Sequence, residues 1–327
     1  MLPKRLVENV FSLKSARVSS ALSVFIRLDS TGRIIDYGIH KSIVKPKYNL
    51  TYDEADDLID YAPPQEKELA LLSLLLSKRR QFRQSNGAIF LEQSQGRFIV
   101  NNEQIDLKII DQSPSRRLVS ECMILFGTVI ADYAITNKLP VPYRCQGETH
   151  NSLSLNSFSS EISAVRNSFV KQNLLKATTN IYPKRHFSLG LDAYVQATSP
   201  LRRYSDLIVH RQIISELDNT SLYTESEVVE ILREINRPQQ QAIEIMREDQ
   251  SSVLFNWFLS RRSVIWKTYY LRGLRLKEKL VLLYFETLEI EAAVNLIEVK
   301  DWEIGDRLDI RIHHIDNEHS KMIFKIY

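Results

Sequence analysis

Apolar and polar residues alternate in two early stretches, Leu22-Ser-Val-Phe-Ile-Arg-Leu28 and Ile34-Ile-Asp-Tyr-Gly-Ile39, on either side of the turn signal Asp29-Ser-Thr-Gly32. Alternation with a period of two around such a turn predicts a β-hairpin over residues 20–45. Thr51 and Glu54 then stand at capping-box spacing ahead of a helix running through Leu58, and a second helix is expected at 64–82. Between Ala88 and Ile110 the pattern is that of short strands, with turns at Gly96 and Asn101-Asn102. The stripe Leu118, Cys122, Leu125, Val129 and Tyr133 restores a helical period and predicts a long amphipathic helix over 116–133. Further on, Ser199 reads as an N-cap and Pro200 as the first helical residue, followed by apolar Leu201, Tyr204, Leu207, Ile208 and Ile214. A last helix is expected over 225–262, interrupted at Pro238.

From Ser263 the chain turns strand-like, as in Leu280–Phe285 and Leu308–Ile312. The expected class is therefore α+β, with a mixed sheet and several helices in residues 1–262 and a small β-rich module in 263–327. At 327 residues, 44% apolar and 25% charged, the composition is that of a folded globular chain with room for two domains. Its two cysteines, Cys122 and Cys145, form no CxxC or Cys/His cluster, so neither a disulfide framework nor a zinc site is expected, and a reducing compartment fits. A net charge of +3 permits an anionic partner without requiring one. No apolar run nears the ~18 residues of a membrane span, and no signal peptide is read at Met1.

The segment around Ser199 departs from the usual charge order. Helix N-termini favour acidic residues, yet this one is expected to open on Leu201-Arg202-Arg203. Free N–H groups beside guanidinium forks make a phosphate site. Internal pairing is the other reading, since Asp206 lies four residues after Arg202 and three after Arg203, which accounts for one arginine but hardly both. Lys184-Arg185-His186-Phe187 and His210-Arg211 bracket the segment, as basic and aromatic groups bracket single-strand RNA channels. Taken singly, His210 reads as a structural histidine and Lys184-Arg185 as a solvated loop.

The 26 residues from His186 to Arg211, with Thr198-Ser-Pro-Leu-Arg-Arg-Tyr-Ser-Asp206 at their centre, resemble the signature of the ribonuclease II (RNB) family. That signature is Thr-Ser-Pro-Ile-Arg-Arg-Tyr-x-Asp followed by His-Arg. Met1-Leu-Pro with Ser12-Leu13, Leu50-Thr-Tyr52-Asp, Leu118-Val-x-Glu121-x-Met123 and Arg247-Glu248 agree with it. The resemblance implies a hydrolytic, processive 3′→5′ exoribonuclease that acts on single-stranded RNA and releases nucleoside 5′-monophosphates. It implies a monomer in the cytoplasm, or in an organelle, with an RNB-type catalytic domain around an RNA channel and an OB-like module after it. By position it makes Arg202 the catalytic arginine at the scissile phosphate, with Thr198, Ser199 and Arg203 as RNA contacts. Tyr52 and Phe90 would stack on bases, and Glu121 and Glu248 would hold ribose hydroxyls. Phe90 and Glu121 also read as plain core residues. Trp266, Tyr269, Tyr270, Arg272, Arg275 and Lys277 would suit an RNA-facing side of the OB-like module.

The family's chemistry also implies magnesium, held by a cluster of aspartates upstream of the Met-Leu-Pro element. Here that element is residues 1–3, so no metal ligand is assigned in this chain. The acidic group Asp53, Glu54, Asp56, Asp57 and Asp60 is read instead as structural, spread around a short helix where it complements the N-terminal dipole. The expectation is an exoribonuclease chain that is inactive or nearly so by itself, with an exposed apolar patch near residues 1–60. The alternatives are a non-catalytic RNA-binding remnant or accessory protein, and a structural partner that no longer binds RNA.

Overall fold

The computed structural model describes residues 2–102, 104–149, 158–316 and 321–327, so Met1 of the Met-Leu-Pro landmark lies outside the described residues. Two compact units emerge. One comprises Met1–Phe90, Ser113–Glu148 and Leu175–Arg237, and the other Leu91–Gln112, Thr149–Leu174 and Pro238–Tyr327.

In the first unit a helical turn, α1 (Lys4–Leu6), precedes the expected hairpin, formed by β1 (Ser19–Leu28) and β2 (Ile34–Val44). The strands pair antiparallel from Ser19 opposite Val44 to Arg27 opposite Asp36. Asp29 closes the turn by accepting from the amides of Thr31 at 2.8 Å and Arg33 at 2.9 Å. Gly32, at φ 84°, is needed twice over: a Cβ there would stand 2.5 Å from the Arg79 amide nitrogen. Phe25, Ile35 and Ile43 leave large apolar side chains exposed on this hairpin.

Thr51 and Glu54 form the capping box of α2 (Tyr52–Tyr61). The next helix, α3 (Glu68–Ser85), starts four residues later than the sequence suggests, after the Pro63-Pro64 turn. α4 (Pro114–Thr136) is long and apolar enough to cross a membrane by composition, with a mean hydropathy of 1.7 over its most apolar stretch. Packing gives it another role. Leu118 and Leu125 join Leu76 and the hairpin's Ile26 and Leu28 in one core cluster, while Ile130, Ala131 and Ala134 join Ile39, Val195, Val209 and Ile213 in another. The short strands β5 (Tyr143–Cys145) and β6 (Thr178–Asn180) pair, and Tyr143 bridges to Val195.

The second unit contains the hairpin β3 (Gln95–Asn101) and β4 (Gln104–Ile110), α5 (Ser163–Asn173) and a closed five-stranded barrel. The barrel strands are β7 (Trp266–Arg275), β8 (Leu280–Phe285), β9 (Ile290–Leu296), β10 (Arg307–Asp316) and β11 (Lys321–Ile326). Their order is β10-β11-β9-β8-β7, closed by β10 on β7, with β11 and β9 parallel. This is the OB-like module. Phe98, Ile105 and Leu107 pack against its core, which is why the compact units do not follow a single cut after residue 262.

Two expectations for this part of the chain need correction. Pro238 does not interrupt its helix, because α7 (Glu225–Leu259) runs through it after α6 (Tyr204–Leu217). A proline costs one helical hydrogen bond there. Trp266 and Tyr270 do not face solvent: Trp266 is 7% exposed and meets Trp257, Phe258 and Phe285 in tilted and edge-on ring contacts. A register shift between Tyr270 and Arg272 breaks the period of two, so that Tyr270 and Leu271 are both buried. Arg272 and Lys277 stay exposed, and Arg275 pairs with Glu278 at 3.0 Å.

Candidate nucleic-acid interface

The sequence from His186 to Arg211 is held in the first unit by backbone pairing before any side chain contributes. The Gln146 amide donates to Arg185 at 3.0 Å, the Phe187 amide to Gln146 at 3.0 Å, and the His186 amide to Leu191 at 2.8 Å. Phe187–Leu189 make one 3₁₀ turn, ended by Gly190 at φ 63°. Gly190 must lack a Cβ, which would lie 2.8 Å from both the Ala88 nitrogen and the Arg83 oxygen. Downstream, the Val195 amide donates to Gly127 at 3.2 Å, so α4 runs directly beneath this stretch.

Helix α6 begins at Tyr204, with Arg203 as its N-cap, rather than at Pro200. The carbonyl of Ser199 accepts from the amides of Arg202 at 3.2 Å and Arg203 at 2.9 Å, closing a separate turn. Asp206 fixes that turn. Fully buried, its carboxylate accepts from the Ser199 amide at 2.9 Å and from Arg203 Nη2 at 2.6 Å. Arg203 Nη2 also donates to Thr198 Oγ1 at 3.2 Å. Internal pairing therefore accounts for Arg203. Arg202 is exposed, and its side chain meets no hydrogen-bond or ion-pair partner among the described residues. His210 is satisfied by the Ala197 carbonyl at 2.7 Å.

A second charged centre lies beneath. Arg83 and Glu121, each nearly sealed from solvent, form a bidentate pair at 3.0 and 2.5 Å, and Arg83 also donates to the Leu189 carbonyl at 2.8 Å. Both Glu121 oxygens thus face a guanidinium inside the protein. Buried Arg79 sits next to this pair and donates to the Gly32 carbonyl at 3.1 Å; burial, then the charge of Arg83, lowers its pKa. Phe90, in an irregular segment rather than a strand, has Arg80 3.7 Å over its ring. Tyr52, the first residue of α2, carries Arg116 4.0 Å over its own ring and is 40% exposed. Glu248 is exposed on α7 in the second unit.

Among the described residues no group of three or more His, Cys, Asp or Glu is placed to hold a metal ion. Glu54 is used by the capping box, and Asp56 accepts from the Ser115 amide at 2.7 Å. These carboxylates do not fit a magnesium centre.

His186 is buried with Nδ1 unpartnered, and burial, reinforced by the charge of Arg144, pushes its pKa down to about 4. In the unfolded chain the value returns to about 6.5. Between these two values the unfolded state binds the extra proton. The stability this group supplies is therefore complete above about pH 6.5 and lost as pH falls toward 4, on the order of 3 kcal/mol. Thermal unfolding followed from about pH 7 to pH 5 should show a falling Tm that His186→Phe flattens. Equal slopes in the two proteins would remove His186 from the account.

The RNB domain family matches residues 1–219. The chain belongs to the RNB family. An uncharacterized ribonuclease of Synechocystis sp. is 32% identical over 327 residues, covering 99% of this RNB chain and 49% of that protein. Ribonuclease II, chloroplastic/mitochondrial, of Arabidopsis thaliana is 31% identical over 338 residues, covering 99% of this chain and 41% of that one. The RNB chain thus spans about half the length of the curated relatives it matches. Among solved structures, Mycoplasma genitalium RNase R in complex with ribose methylated single-stranded RNA aligns with a TM-score of 0.83 at 17% identity. That alignment covers 100% of this chain and 60% of the other, and at this identity the likeness is one of fold.

Two residues that organise the site were not singled out from sequence in that role: Arg83, and Asp206 as the group that holds the turn. Arg79 and Arg83 at i, i+4 spacing behind Leu72 and Leu76 continue an apolar stripe with charge, which signals buried arginines. Nothing local names Glu121 as the partner.

Proposed function

We propose that this chain carries the RNA-gripping part of an RNB-type 3′→5′ exoribonuclease and by itself binds single-stranded RNA without hydrolysing it. The observation that carries the reading is the division of labour between the two arginines. Arg203 is consumed by Asp206 and Thr198, while Arg202 projects free from a turn that Asp206 holds in place. A guanidinium fork held in this way suits a phosphoryl oxygen, and in a complete site it would stabilise charge developing on that oxygen. Family membership and the solved RNA complex of a protein with this fold support the same ligand. Release of nucleoside 5′-monophosphates needs a metal-activated water, and the described residues gather no carboxylates for one. The non-catalytic alternative, an accessory RNA binder, shares this grip and differs only in whether a metal-bearing portion ever joins it.

Fluorescence anisotropy with a single-stranded RNA should give binding that does not require magnesium and weakens with salt by counterion release. Arg202→Ala should lower affinity about tenfold, the scale of one charge-assisted hydrogen bond. It should also flatten the salt dependence by about 0.7, the share of a single phosphate. Salt-independent binding, or none, would sink the RNA reading. Magnesium-dependent release of mononucleotides by the 327-residue chain would overturn its inactivity.

A further inference from the structure

Helix α3, in the first unit, is packed on one side and bare on another. Leu72 and Leu76 turn into the core cluster shared with α4 and the hairpin, and Arg79 and Arg83 continue that buried side. Leu71, Leu74 and Leu75 stand on the neighbouring face with Lys78, at the i, i+3, i+4, i+7 spacing that gathers residues on one side of a helix. The three leucines are 55%, 59% and 37% exposed. At the N-terminal end of this face opens a groove of about 470 Å³, lined by Leu50, Leu58 and Leu69 together with Glu66 and Glu68. Single exposed leucines are ordinary, but three on one helix face beside an apolar groove form a patch of the kind that marks an interaction surface.

The order of charges along the face selects its occupant. Glu68 lies five residues before Ser73 and Lys78 five after it, while Leu71 and Leu75 lie two before and two after. Neither Glu68 nor Lys78 meets an ion-pair partner among the described residues. Turned end for end about the level of Ser73, the pattern becomes its own complement: Leu71 falls opposite Leu75, and Glu68, roughly 7.5 Å along the axis, falls opposite Lys78. A two-fold interface requires this, because every contact in it is made twice with the roles exchanged. We propose that α3 is a dimerisation helix, lying antiparallel against α3 of a second copy of this chain, with Leu71, Leu74 and Leu75 at the centre and a Glu68–Lys78 pair on each side. The leucines supply the attraction. The charges set the direction, since parallel helices would place Glu68 against Glu68 and Lys78 against Lys78. Such a dimer is independent of the RNA-binding reading and differs from the monomer that the resemblance implies.

Sedimentation equilibrium on the 327-residue chain should show a reversible monomer–dimer equilibrium. Glu68→Lys and Lys78→Glu each bring like charges together at both pairs of the dimer, and each should weaken dimerisation about tenfold at low salt. Mixed one to one, the two variants complement each other, because every pair across the axis again joins opposite charges. The mixture should therefore dimerise as tightly as wild type. Leu75→Gln leaves the charges untouched and should weaken dimerisation at high salt as well, where the charge variants approach wild type. Circular dichroism on each variant confirms that α3 and the rest of the fold are intact. A wild-type chain that stays monomeric would overturn the proposal and leave the face to a different polypeptide. Dimers indifferent to the charge reversals at low salt, or folded variants whose mixture does not recover, would place the contact elsewhere on the chain and equally overturn it.

Discussion

Glu121→Gln should destabilise the protein by about 3–5 kcal/mol, the cost of leaving a buried charge without its partner. Arg83 lies 3% exposed against Glu121 at 4% by side chain, so water cannot replace the lost carboxylate. Glutamine keeps the shape but turns an NH₂ donor toward one guanidinium nitrogen. Arg83→Met should cost a similar amount for the opposite reason, and it also strips the donor from the Leu189 carbonyl. The double replacement Arg83→Met with Glu121→Gln should cost well under the sum of the two single losses, because it leaves no buried charge without its partner. Urea unfolding of the four proteins measures this directly. If the single losses simply add in the double variant, the two side chains do not act as a pair, and Glu121 would be free for a sugar after all.

Glu121 also shows where sequence reading stops. The hairpin, the Thr51 capping box and the helix of 116–133 are set by neighbours within a few residues, and those elements appear with small shifts at their ends. The carboxylate of Glu121 is decided by Arg83, 38 residues away, and periodicity carries no trace of that contact. The same holds at Ser199, where the serine and proline look like a helix start. Asp206, seven residues on, instead captures the Ser199 amide and closes a separate turn, displacing the helix to Tyr204. In β7 the alternation itself turns Trp266, Thr268 and Tyr270 inward, and the shift after Tyr270 adds Leu271, so the aromatic residues expected on an RNA-facing side line the barrel core instead. The resemblance located the signature, and only packing distinguished its free arginine from its bound one.

Asp206→Asn tests that distinction with a change of sign. If charge count governed RNA affinity, removing a buried carboxylate and releasing Arg203 would tighten binding, since the protein gains one net positive charge. If geometry governs, binding should weaken. The carboxylate accepts from Ser199, Arg203 and Ser205 at once, at 2.9, 2.6 and 3.2 Å, and an amide cannot accept all three. The turn that presents Arg202 would then lose its tie to α6. We expect affinity for single-stranded RNA to fall about tenfold, comparable to losing one charge-assisted contact, together with a stability loss of about 3–5 kcal/mol. Binding should therefore be measured well below the variant's Tm, with circular dichroism confirming the fold at that temperature. A folded Asp206→Asn protein that binds RNA as tightly as wild type, or more tightly, would show that Arg202 acts as a loose surface charge rather than a placed one, and would remove the main support for a built phosphate site.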